Sequence, residues 1–328
     1  MADTTSSADG WRHRHLLDVD TWSADELERS MVLAGSMAAS LRERRPREEL
    51  AGRRVVTFFG EASTRTRLSF ELAARSLGAD VSHLDAVSSS VVKGESLMDT
   101  VRTVGALGTD LLVMRHQRAG APYLAARHFP GHVVNAGDGC HAHPTQALAD
   151  LYTLRQRLPR GVQGARVAIV GDIRHSRVAR SDVWSLTTAG AEVTLCGPAE
   201  WLTGVAEWLT GVAEWTAGVG AGRRVSVTTD LVRAITGADA VMALRVQRER
   251  LAGAGPSLAA YSERYRLTPD RLQLAHPDAL VMHPGPVNQG MEIDRAVAWG
   301  PRSVILDQVA NGVPVRMAIM ALLVGPGS

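Results

Sequence analysis

The chain has 328 residues, about twice the usual length of a single domain, so two domains are expected. Hydrophobic residues make up 45% of the chain, which argues against disorder, and the near balance of 36 basic and 34 acidic residues argues against nucleic-acid binding through bulk charge. Two cysteines, Cys140 and Cys196, are too few for a disulfide framework and favour a reducing cytoplasm.

The N-terminal segment is the first part of the chain with a readable pattern. It has no apolar stretch of the kind that a signal peptide needs. Ser23 and Glu26 have the spacing of a capping box, which predicts a helix that continues to about Arg44. No run of about 18 apolar residues occurs anywhere, so no membrane span is expected.

Short β-type runs alternate with helical patterns through the rest of the first half. Gly78 follows one helical pattern and is expected at the C′ position, where helices favour a left-handed residue. The predicted strands are Val55–Phe59, Val81–Leu84, Leu111–Met114 and Val133–Asn135. The predicted helices are Leu68–Leu77, Ser96–Ala106, Ala121–Arg127 and Thr145–Leu158.

The second half repeats this alternation. Its predicted strands are Arg166–Val170, Val193–Cys196, Val225–Thr228, Ala240–Ala243 and Leu280–Met282. Its predicted helices are Val178–Ala189 and Asp307–Val324. Alternation of this kind indicates crossover connections and parallel sheets. The predicted fold is therefore α/β, with two doubly wound domains that each have a central parallel sheet flanked by helices, and with substrates at the carboxyl ends of the strands.

The segment Ala199–Val219 breaks the alternation, because a seven-residue unit recurs in it about two and a half times. On a helix its large apolar residues would form one stripe, since seven residues are nearly two turns. These residues are Trp201, Val205, Trp208, Val212 and Trp215. Gly204 and Gly211 would weaken such a helix. We expect a duplicated surface helix that packs its Trp face on its own domain; a partner-binding stripe and an excursion from the domain are the alternatives.

The stretch GEASTRTRLSF, residues 60–70, places hydroxyl groups and arginines where a predicted strand gives way to a helix. A helix N-terminus offers free backbone N–H groups and a partial positive charge, and phosphate binds there readily. Ser63, Thr64 and Thr66 add hydroxyl donors, and Arg65 adds a permanent charge. The stretch therefore predicts a phosphate site, with a helix cap and solvated arginines as the alternative. No glycine-rich nucleotide motif occurs in the sequence.

Other polar clusters lie near the predicted strand ends. They are the serine–lysine loop at 88–95, the end of a strand at Met114–His116, the turn at 137–146 and the turn at 171–177. His143 and Gln146 are three residues apart, so they lie on one helix face. His141 and His143 have the spacing of a metal-binding pair, but no third ligand cluster accompanies them, so no metal site is expected.

Together these clusters resemble the motifs of the aspartate/ornithine carbamoyltransferase family, in the order found in aspartate carbamoyltransferase catalytic chains. The motifs are S-T-R-T-R, K-G-E, M-R-H, H-P-T-Q, G-D-I-R-H-S-R, L-R-V-Q-R-E-R and H-P-G-P-V-N, and the resemblance runs from about residue 12 to 325. Two departures stand out: Gly60 where the family usually has Phe, and Gln289 where it often has Arg. The Trp repeat has no counterpart that we recognise.

The resemblance implies a reaction and a domain plan. Carbamoyl phosphate and L-aspartate would give N-carbamoyl-L-aspartate and phosphate, a step of de novo pyrimidine biosynthesis, without a cofactor or a metal. Residues 1–150 would bind carbamoyl phosphate, with the C-terminal helix 306–328 packing back on them, and residues 151–305 would bind aspartate. The catalytic residues that the resemblance implies are Arg65, Thr66, Lys93, Arg115 and His143.

The resemblance also implies which residues hold each substrate. Carbamoyl phosphate would be bound by Ser63, Thr64, Arg65, Thr66, Ser89, Lys93, Arg115, His143 and Gln146. Thr66, Arg115 and His143 would polarise the carbonyl oxygen, as the donors of an oxyanion hole do. Aspartate would be bound by Lys93, Arg177, Arg245, Gln247, Gly285 and Pro286. A cis peptide bond before Pro286 is also expected from the resemblance.

The assembly that the resemblance implies is a homotrimer with shared active sites. The serine–lysine loop would reach into the neighbouring subunit, so that Ser89 and Lys93 act in trans. The resemblance leaves open a regulatory chain or a dihydroorotase as a further partner. Neither nucleic acid nor a membrane is expected, and the expected location is the cytoplasm.

Three other functions stay open at this point. Ornithine carbamoyltransferase shares the phosphate half, but its H-C-L-P motif is replaced here by H-P-G-P at His283–Pro286. Three cationic residues and Gln247 around the second substrate also favour a dianion. A carbamoyltransferase for another amine is the second alternative. A non-catalytic scaffold with the Trp stripe as its interface is the third, and the intact set of cationic motif residues argues against it.

Overall fold

The computed structural model describes residues 11–325, except 62, 86–95, 206, 208–224 and 247–256. The chain divides into two compact units, Met1–Leu148 with Ala310–Ser328 and Ala149–Val309. Both divisions fall inside helices, so the chain passes from unit to unit without a loop at these points. Searched over the described residues, no helix combines the length and the apolar character that crossing a bilayer requires.

The first unit is built on a parallel sheet with the strand order β2-β1-β3-β4. Its strands are β1 (Arg54–Phe59), β2 (Asp80–Asp85), β3 (Leu111–His116) and β4 (His132–Asp138). The helices that begin in this unit are α1 (Ala24–Arg42), α2 (Thr64–Ser76), α3 (Leu97–Ala106), α4 (Ala121–His128) and α5 (Pro144–Arg157). One face of the sheet packs on α3 and α4 through buried apolar side chains, among them Phe58, Val101, Leu112, Ala125 and Phe129.

The predicted capping box begins α1. The Glu26 N–H donates to Ser23 Oγ at 3.2 Å, and the Ser23 N–H donates to Glu26 Oε2 at 2.8 Å. These reciprocal bonds satisfy two N–H groups that a helix start leaves without intrahelical partners. The capping-box prediction is therefore confirmed.

Helix α2 begins at Thr64, four residues earlier than the predicted helix. Thr64 to Arg67, which lie before the predicted helix start, thus form its first turn, and Ser63 is the N-cap residue. At its other end Gly78 has a φ of 83°, as predicted for the C′ position. The Ala79 N–H donates to Ala74 O at 3.1 Å, and the Gly78 N–H donates to Arg75 O at 3.0 Å. This pair of bonds is the Schellman motif, which satisfies carbonyls at the helix end.

The C-terminal part of the last helix belongs to the first unit and contacts α2 there. Arg316 Nη1 donates to Ser69 Oγ at 2.7 Å. The same guanidinium lies 4.8 Å from the ring centre of Phe70, which is fully buried. A cation over an aromatic face is attracted by the ring quadrupole, so this arginine both packs and hydrogen-bonds against α2.

The second unit has a parallel sheet with the strand order β7-β6-β5-β8-β9. Its strands are β5 (Arg166–Val170), β6 (Glu192–Cys196), β7 (Val225–Thr228), β8 (Ala240–Ala243) and β9 (Leu280–Met282). Its helices, with a 3₁₀ turn at Ala199–Trp201, are α6 (Arg177–Thr188), α7 (Leu231–Ile235), α8 (Leu258–Tyr265), α9 (Pro269–Leu272), α10 (Arg295–Ala298) and the start of α11 (Ile305–Val324). The strand order reverses between β5 and β8, where doubly wound sheets bind ligands. Two parallel sheets flanked by helices confirm the predicted fold class.

Helices α7 to α10 were not predicted from the sequence. They have four to eight residues, so none has enough turns to show a helical period. Three of them begin with a side chain that accepts from the N3 backbone N–H, namely Asp230, Ser257 and Thr268. The N-cap residues were therefore the available sequence signal for these helices, but the apolar pattern after each cap was too short to support a helix prediction.

A buried pair of carboxyl groups lies between α5, α6 and α11 in the second unit. Asp150 and Asp182 are both fully buried, and Gln308 Nε2 donates to Asp150 Oδ1 at 2.8 Å. Burial, together with the negative charge of Asp150 and a hydrogen bond to it, raises the pKa of Asp182 well above its ordinary value. Two like charges in such a site repel each other, so burial beside Asp150 favours a proton on Asp182.

The first copy of the seven-residue Trp repeat lies in the core of the second unit of the chain. Trp201 is 1% exposed, and its ring centre is 4.9 Å from that of the buried Tyr261. Val205 is also buried. Between them Gly204 has a φ of 78°, so the predicted continuous helical stripe is wrong at this point. The remaining stripe positions, Trp208, Val212 and Trp215, lie outside the described residues.

Candidate active site

The carboxyl ends of three strands of the first unit meet at one edge of its sheet. Phe59 of β1 pairs with Arg115 of β3. His116 of β3 pairs with Asp138 of β4 after a shift in register. A polar motif follows each of these strand ends, so the sheet places the motifs next to one another.

The start of α2 forms one side of this edge. Ser63 occupies its N-cap position, and the Ser63 side chain makes no capping bond to the helix. The first turn contains no acidic residue. Ser63 and Thr66 are half-buried, whereas Thr64 and Arg65 are exposed. The positive end of the helix dipole therefore has no counter-charge in its own first turn, which suits an anion.

Arg115 links the end of β3 to the start of α2. Its Nη1 donates to Thr66 Oγ1 at 3.3 Å and to Ala136 O at 3.4 Å. Its Nε donates to Glu61 Oε1 at 2.6 Å. The structure thus brings together Arg115 and Thr66, two residues that the sequence analysis placed in the same site.

Glu61 is a residue of this site to which the sequence analysis gave no role. Its side chain is 16% exposed and that of Arg115 is 13% exposed, so the ion pair is largely shielded from water. An anion that binds Arg115 must therefore share the guanidinium with Glu61 or displace it. The only available signal was the place of Glu61 inside GEASTRTRLSF, two residues before Ser63.

His143 and Gln146 lie where the chain passes from β4 to α5. The His143 side chain is buried and Gln146 is half-buried. The Gln146 N–H donates to His143 O at 3.0 Å, which fixes the first turn. The connecting loop is held by Asp138, which is fully buried and accepts from the Ala142 N–H at 3.1 Å.

His141 is engaged elsewhere, because its Nδ1 lies 3.3 Å from the Asp138 carboxylate. Among the described residues, no three His, Cys, Asp or Glu side chains are grouped as a metal site requires. The neighbouring Cys140 is half-buried, whereas Cys196 is fully buried in the second unit. Burial, with the charge of Asp230 nearby, raises the pKa of the Cys196 thiol to about 12.

Gly60 stands close to the end of β3, which carries Arg115. The Gly60 N–H donates to Arg115 O at 2.8 Å. A Cβ at Gly60 would lie 3.2 Å from His116 Cδ2 and 3.4 Å from Arg115 O. Burial, with the charge of Arg118 nearby, lowers the pKa of His116. A larger residue at position 60 would therefore press on the His116 imidazole and on the strand backbone that carries the Arg115 guanidinium.

In the second unit, Arg177 and Arg245 follow neighbouring strands. Arg177 begins α6 after β5 and is buried, and Arg245 follows β8 and is half-buried. Val170 of β5 pairs with Ala243 of β8, and the Leu244 N–H donates to Val170 O at 2.8 Å. The two arginines thus come from opposite sides of the point where the strand order reverses.

The segment after β9 contains Gly285 and Pro286. The peptide bond between them is cis, which confirms that expectation, and Gly285 has a φ of 68°. The Gly285 N–H donates to Nδ1 of His283, whose side chain is fully buried. On its other ring nitrogen His283 contacts Glu292, and the sequence analysis assigned no role to either residue.

Three of the predicted site residues lie outside the described part of the chain. They are Ser89, Lys93 and Gln247. Gln289, the second departure from the family motifs, is exposed. The described site residues therefore form two groups, one at the sheet edge of the first unit and one at the sheet edge of the second.

Comparisons with known proteins match both halves of the chain. Residues 14–156 match the family described as aspartate/ornithine carbamoyltransferase, carbamoyl-P binding domain. Residues 163–323 match the family described as aspartate/ornithine carbamoyltransferase, Asp/Orn binding domain. Among curated relatives, the aspartate carbamoyltransferase catalytic subunit of Roseiflexus sp. (strain RS-1) is 51% identical over 316 residues, covering 96% of each chain. That of Dehalococcoides mccartyi (strain CBDB1) is 46% identical, covering 98% of this chain and 94% of the relative.

Solved structures agree with the sequence relatives. Aspartate transcarbamoylase from Trypanosoma cruzi, in complex with carbamoyl aspartate and phosphate, has a TM-score of 0.85 and 29% identity, covering 99% of this chain and 100% of that one. Ornithine carbamoyltransferase from Pyrococcus furiosus has a TM-score of 0.85 and 27% identity, covering 95% of this chain and 97% of that one. The resemblance inferred from the motifs is confirmed, and the chain belongs to the aspartate/ornithine carbamoyltransferase family.

Proposed function

We propose that this chain is the catalytic chain of an aspartate carbamoyltransferase. It transfers the carbamoyl group of carbamoyl phosphate to the α-amine of L-aspartate, giving N-carbamoyl-L-aspartate and phosphate. The observation that carries the proposal is the contact of Arg115 with Thr66 at the start of α2. It unites a permanent cation, a hydroxyl donor and a helix N-terminus in one anion site.

The phosphate half of the reaction uses the first unit. The phosphoryl group binds the first-turn N–H groups of α2 and the side chains of Ser63, Thr64, Arg65, Thr66 and Arg115. Thr66, Arg115 and His143 donate to the carbonyl oxygen, and Gln146 with the Pro144 carbonyl holds the carbamoyl NH₂. The burial of His143 favours this role, because a donor in a dry site stabilises developing charge more than an exposed one.

The choice of aspartate as acceptor is supported by the second unit. Arg177 and Arg245 provide two forked cations for a dicarboxylate, together with Gln247 and with Lys93 of a neighbouring subunit. The Gly285 carbonyl orients the α-amine. Relatives at 46% and 51% identity are named aspartate carbamoyltransferase catalytic subunits, which favours aspartate over ornithine.

The chemical step needs no covalent enzyme intermediate. The amine nitrogen attacks the carbamoyl carbon, the bond from that carbon to the phosphate oxygen breaks, and a leaving phosphate oxygen accepts the proton that the amine loses. Much of the rate comes from holding the two substrates in reacting geometry.

We also propose a homotrimer with shared sites in the cytoplasm, where the chain serves pyrimidine biosynthesis. Ser89 and Lys93 would act on the neighbouring subunit's substrates. Native mass of the purified protein, with and without co-purified chains, tests the trimer and any regulatory or dihydroorotase partner. A stable monomer that is fully active would contradict shared sites.

The test of the activity is an assay with carbamoyl phosphate labelled in its carbonyl carbon. Label should transfer to L-aspartate, with little transfer to ornithine and none without an acceptor. Transfer of label to ornithine, or only to another amine, would show that this amine and not L-aspartate is the acceptor. A folded protein that binds carbamoyl phosphate but transfers label to no acceptor would point to a scaffold and overturn the proposal.

A further inference from the structure

We infer that His283 and Glu292 are positioning residues that hold the Gly285–Pro286 segment in the shape that aspartate binding requires. Neither is assigned to substrate, and their role is to fix backbone groups of the segment. The inference rests on the proposed function, because it takes the Gly285 carbonyl as the group that orients the amine.

The first contact is between the His283 ring and the backbone two residues later. The Gly285 N–H donates to His283 Nδ1 at 2.8 Å, so this nitrogen is the acceptor and carries no proton. The ring proton is therefore on Nε2. Because Gly285 is held by this bond in the left-handed region, its carbonyl direction depends on the imidazole.

The second contact fixes the ring itself. His283 Nε2 lies 3.1 Å from Glu292 Oε1, and both side chains are fully buried. The same carboxylate oxygen accepts from the Asn288 N–H at 2.6 Å. One carboxylate thus holds the imidazole and the far end of the segment, so the chain from His283 to Asn288 is closed into a small ring of hydrogen bonds.

Two further bonds tie this ring to the rest of the second unit. The His283 N–H donates to Gln308 Oε1 at 2.9 Å, and Gln308 in turn donates to Asp150. Asn288 Nδ2 donates to Val246 O at 3.4 Å, directly after Arg245 in the chain. The segment is therefore anchored to α11 on one side and to the Arg245 turn on the other, where the second substrate is proposed to bind.

Side chains that fix a ligand-orienting backbone segment affect the rate by controlling the geometry of the bound reactant. A displacement of about 1 Å can cost about a hundredfold in rate when the displaced group orients a reactant. Loss of the His283 contacts should therefore weaken aspartate use and leave carbamoyl phosphate binding nearly unchanged, since that substrate is held by the first unit.

Two variants of His283 separate its two contacts. His283→Asn puts a carboxamide oxygen near the place of Nδ1 and can still accept from the Gly285 N–H. His283→Gln puts an amide nitrogen near the place of Nε2 and can still donate to Glu292. The matched control is Val281→Ala, which removes buried volume from β9 and touches neither contact. Steady-state kinetics in each substrate and thermal melts are measured for all three.

We expect the KM for aspartate to rise about tenfold or more in His283→Gln and less in His283→Asn, because His283→Gln leaves the Gly285 N–H without the acceptor that holds its backbone in place. The KM for carbamoyl phosphate should stay within about twofold in both. Val281→Ala should lower the melting temperature without changing the ratio of the two KM values. Equal changes in both KM values, or the same pattern in Val281→Ala, would overturn the inference.

Glu292 gives a second comparison if a His283 variant fails to fold. Glu292→Gln keeps an oxygen that can accept from His283 and Asn288, and it should keep the KM for aspartate within about threefold. Glu292→Met has similar volume and no such acceptor, and it should raise that KM about tenfold. Equal kinetics in the two variants would also overturn the inference. If the parent enzyme itself transfers no label to aspartate, the proposed function fails instead.

Discussion

The Arg115 guanidinium donates hydrogen bonds to Glu61, to Thr66 and to the carbonyl of Ala136. These partners come from the ends of β1 and β4 and from the start of α2. The positive charge is therefore fixed before a reaction begins, and no reorganisation is needed when charge develops on a bound carbonyl oxygen. At the scale of a single residue, the proposed chemistry therefore depends on the hydrogen bonds that fix the Arg115 guanidinium before substrate binds.

Replacing Arg115 tests whether its guanidinium stabilises the charge that develops on the carbonyl oxygen. Arg115→Ala should lower kcat by about 10²–10³, since a donor to the developing oxyanion is lost. Arg115→Lys should recover little, because an ammonium group cannot reproduce the forked geometry. The measurement is steady-state kinetics with both substrates saturating.

The matched control for this test is Arg75→Ala, in the last turn of α2, where the arginine is exposed. It removes the same charge from the same unit and should leave kcat unchanged. A loss below about tenfold in Arg115→Ala would show that Arg115 is not a principal donor.

Ser63 and Thr66 were predicted because they stand in a polar run directly beside a strand, and Arg115 because the resemblance to the carbamoyltransferase motifs implies it. The sequence analysis gave no role to Glu61, whose partner Arg115 is 54 residues away in the chain. A single carboxylate has no period and no ligand spacing, so its role appears only when the fold supplies its partner. The same reason explains why Glu292 was missed.

Among the elements, those with a local signal were predicted well. The capping box of α1 and the glycine stop of α2 are short-range patterns, and the structure confirms both. The helices α7 to α10 have no such period, and tertiary packing decides them. Buried Tyr261 of α8 and Leu272 of α9, for example, belong to the core of the second unit.

Gly78 offers a test of the α2 stop. Its φ of 83° disfavours any residue with a Cβ, although the nearest atom to such a Cβ would be Ala51 Cα at an ordinary 3.5 Å. Gly78→Ala should therefore lose about 1 kcal/mol of unfolding free energy through backbone strain alone. Gly78→Asn should lose less, since asparagine tolerates this region. Urea denaturation measures both, and an unchanged midpoint for Gly78→Ala would contradict the assignment.

Asp182 ties α6 to α5 and gives a pH-dependent prediction. Its pKa is raised in the folded state, so folding binds a proton that the unfolded chain releases above the ordinary carboxyl pKa of about 3.9. Stability should therefore fall as the pH rises from that value toward the raised pKa. Asp182→Asn keeps a donor to Asp150 and has no proton to lose.

The melting temperature of Asp182→Asn should exceed that of the parent, by a margin that is larger at pH 8 than at pH 5. Asp278→Asn makes the same change of charge at an exposed position and serves as the control. A margin that does not depend on pH would show that Asp182 is ionised in the folded protein.

At the scale of the whole molecule, each unit carries its own group of proposed substrate residues on a parallel sheet. The alternation of strands and helices was sufficient to predict this architecture, because each strand–helix pair is a local pattern. It was not sufficient for the Trp repeat, where Gly204 in the left-handed region interrupts the expected helical stripe between Trp201 and Val205. The proposed trimer would depend on surfaces between chains, about which a single sequence contains no periodic signal.

The shared sites proposed for the trimer can be tested by mixing two inactive variants. Lys93→Ala and Arg115→Ala chains, exchanged at equal amounts, should regain about a quarter of the parent activity. About three quarters of randomly formed trimers contain both chains, and each of these restores one of its three sites. Activity that stays at the level of the separate variants after verified exchange would rule out sites made from two chains.

The thiols of Cys140 and Cys196 differ in burial and reactivity, and this difference decides which of them a label modifies. Cys196 is buried with a pKa of about 12, so it holds almost no thiolate at neutral pH, whereas Cys140 is half-buried beside the His143 turn. Because the thiolate is the reactive form, a maleimide dye should label Cys140 in preference to Cys196. The sequence therefore supplies a position for an optical reporter beside the proposed carbamoyl phosphate pocket, and occupancy could be followed by fluorescence without engineering a cysteine.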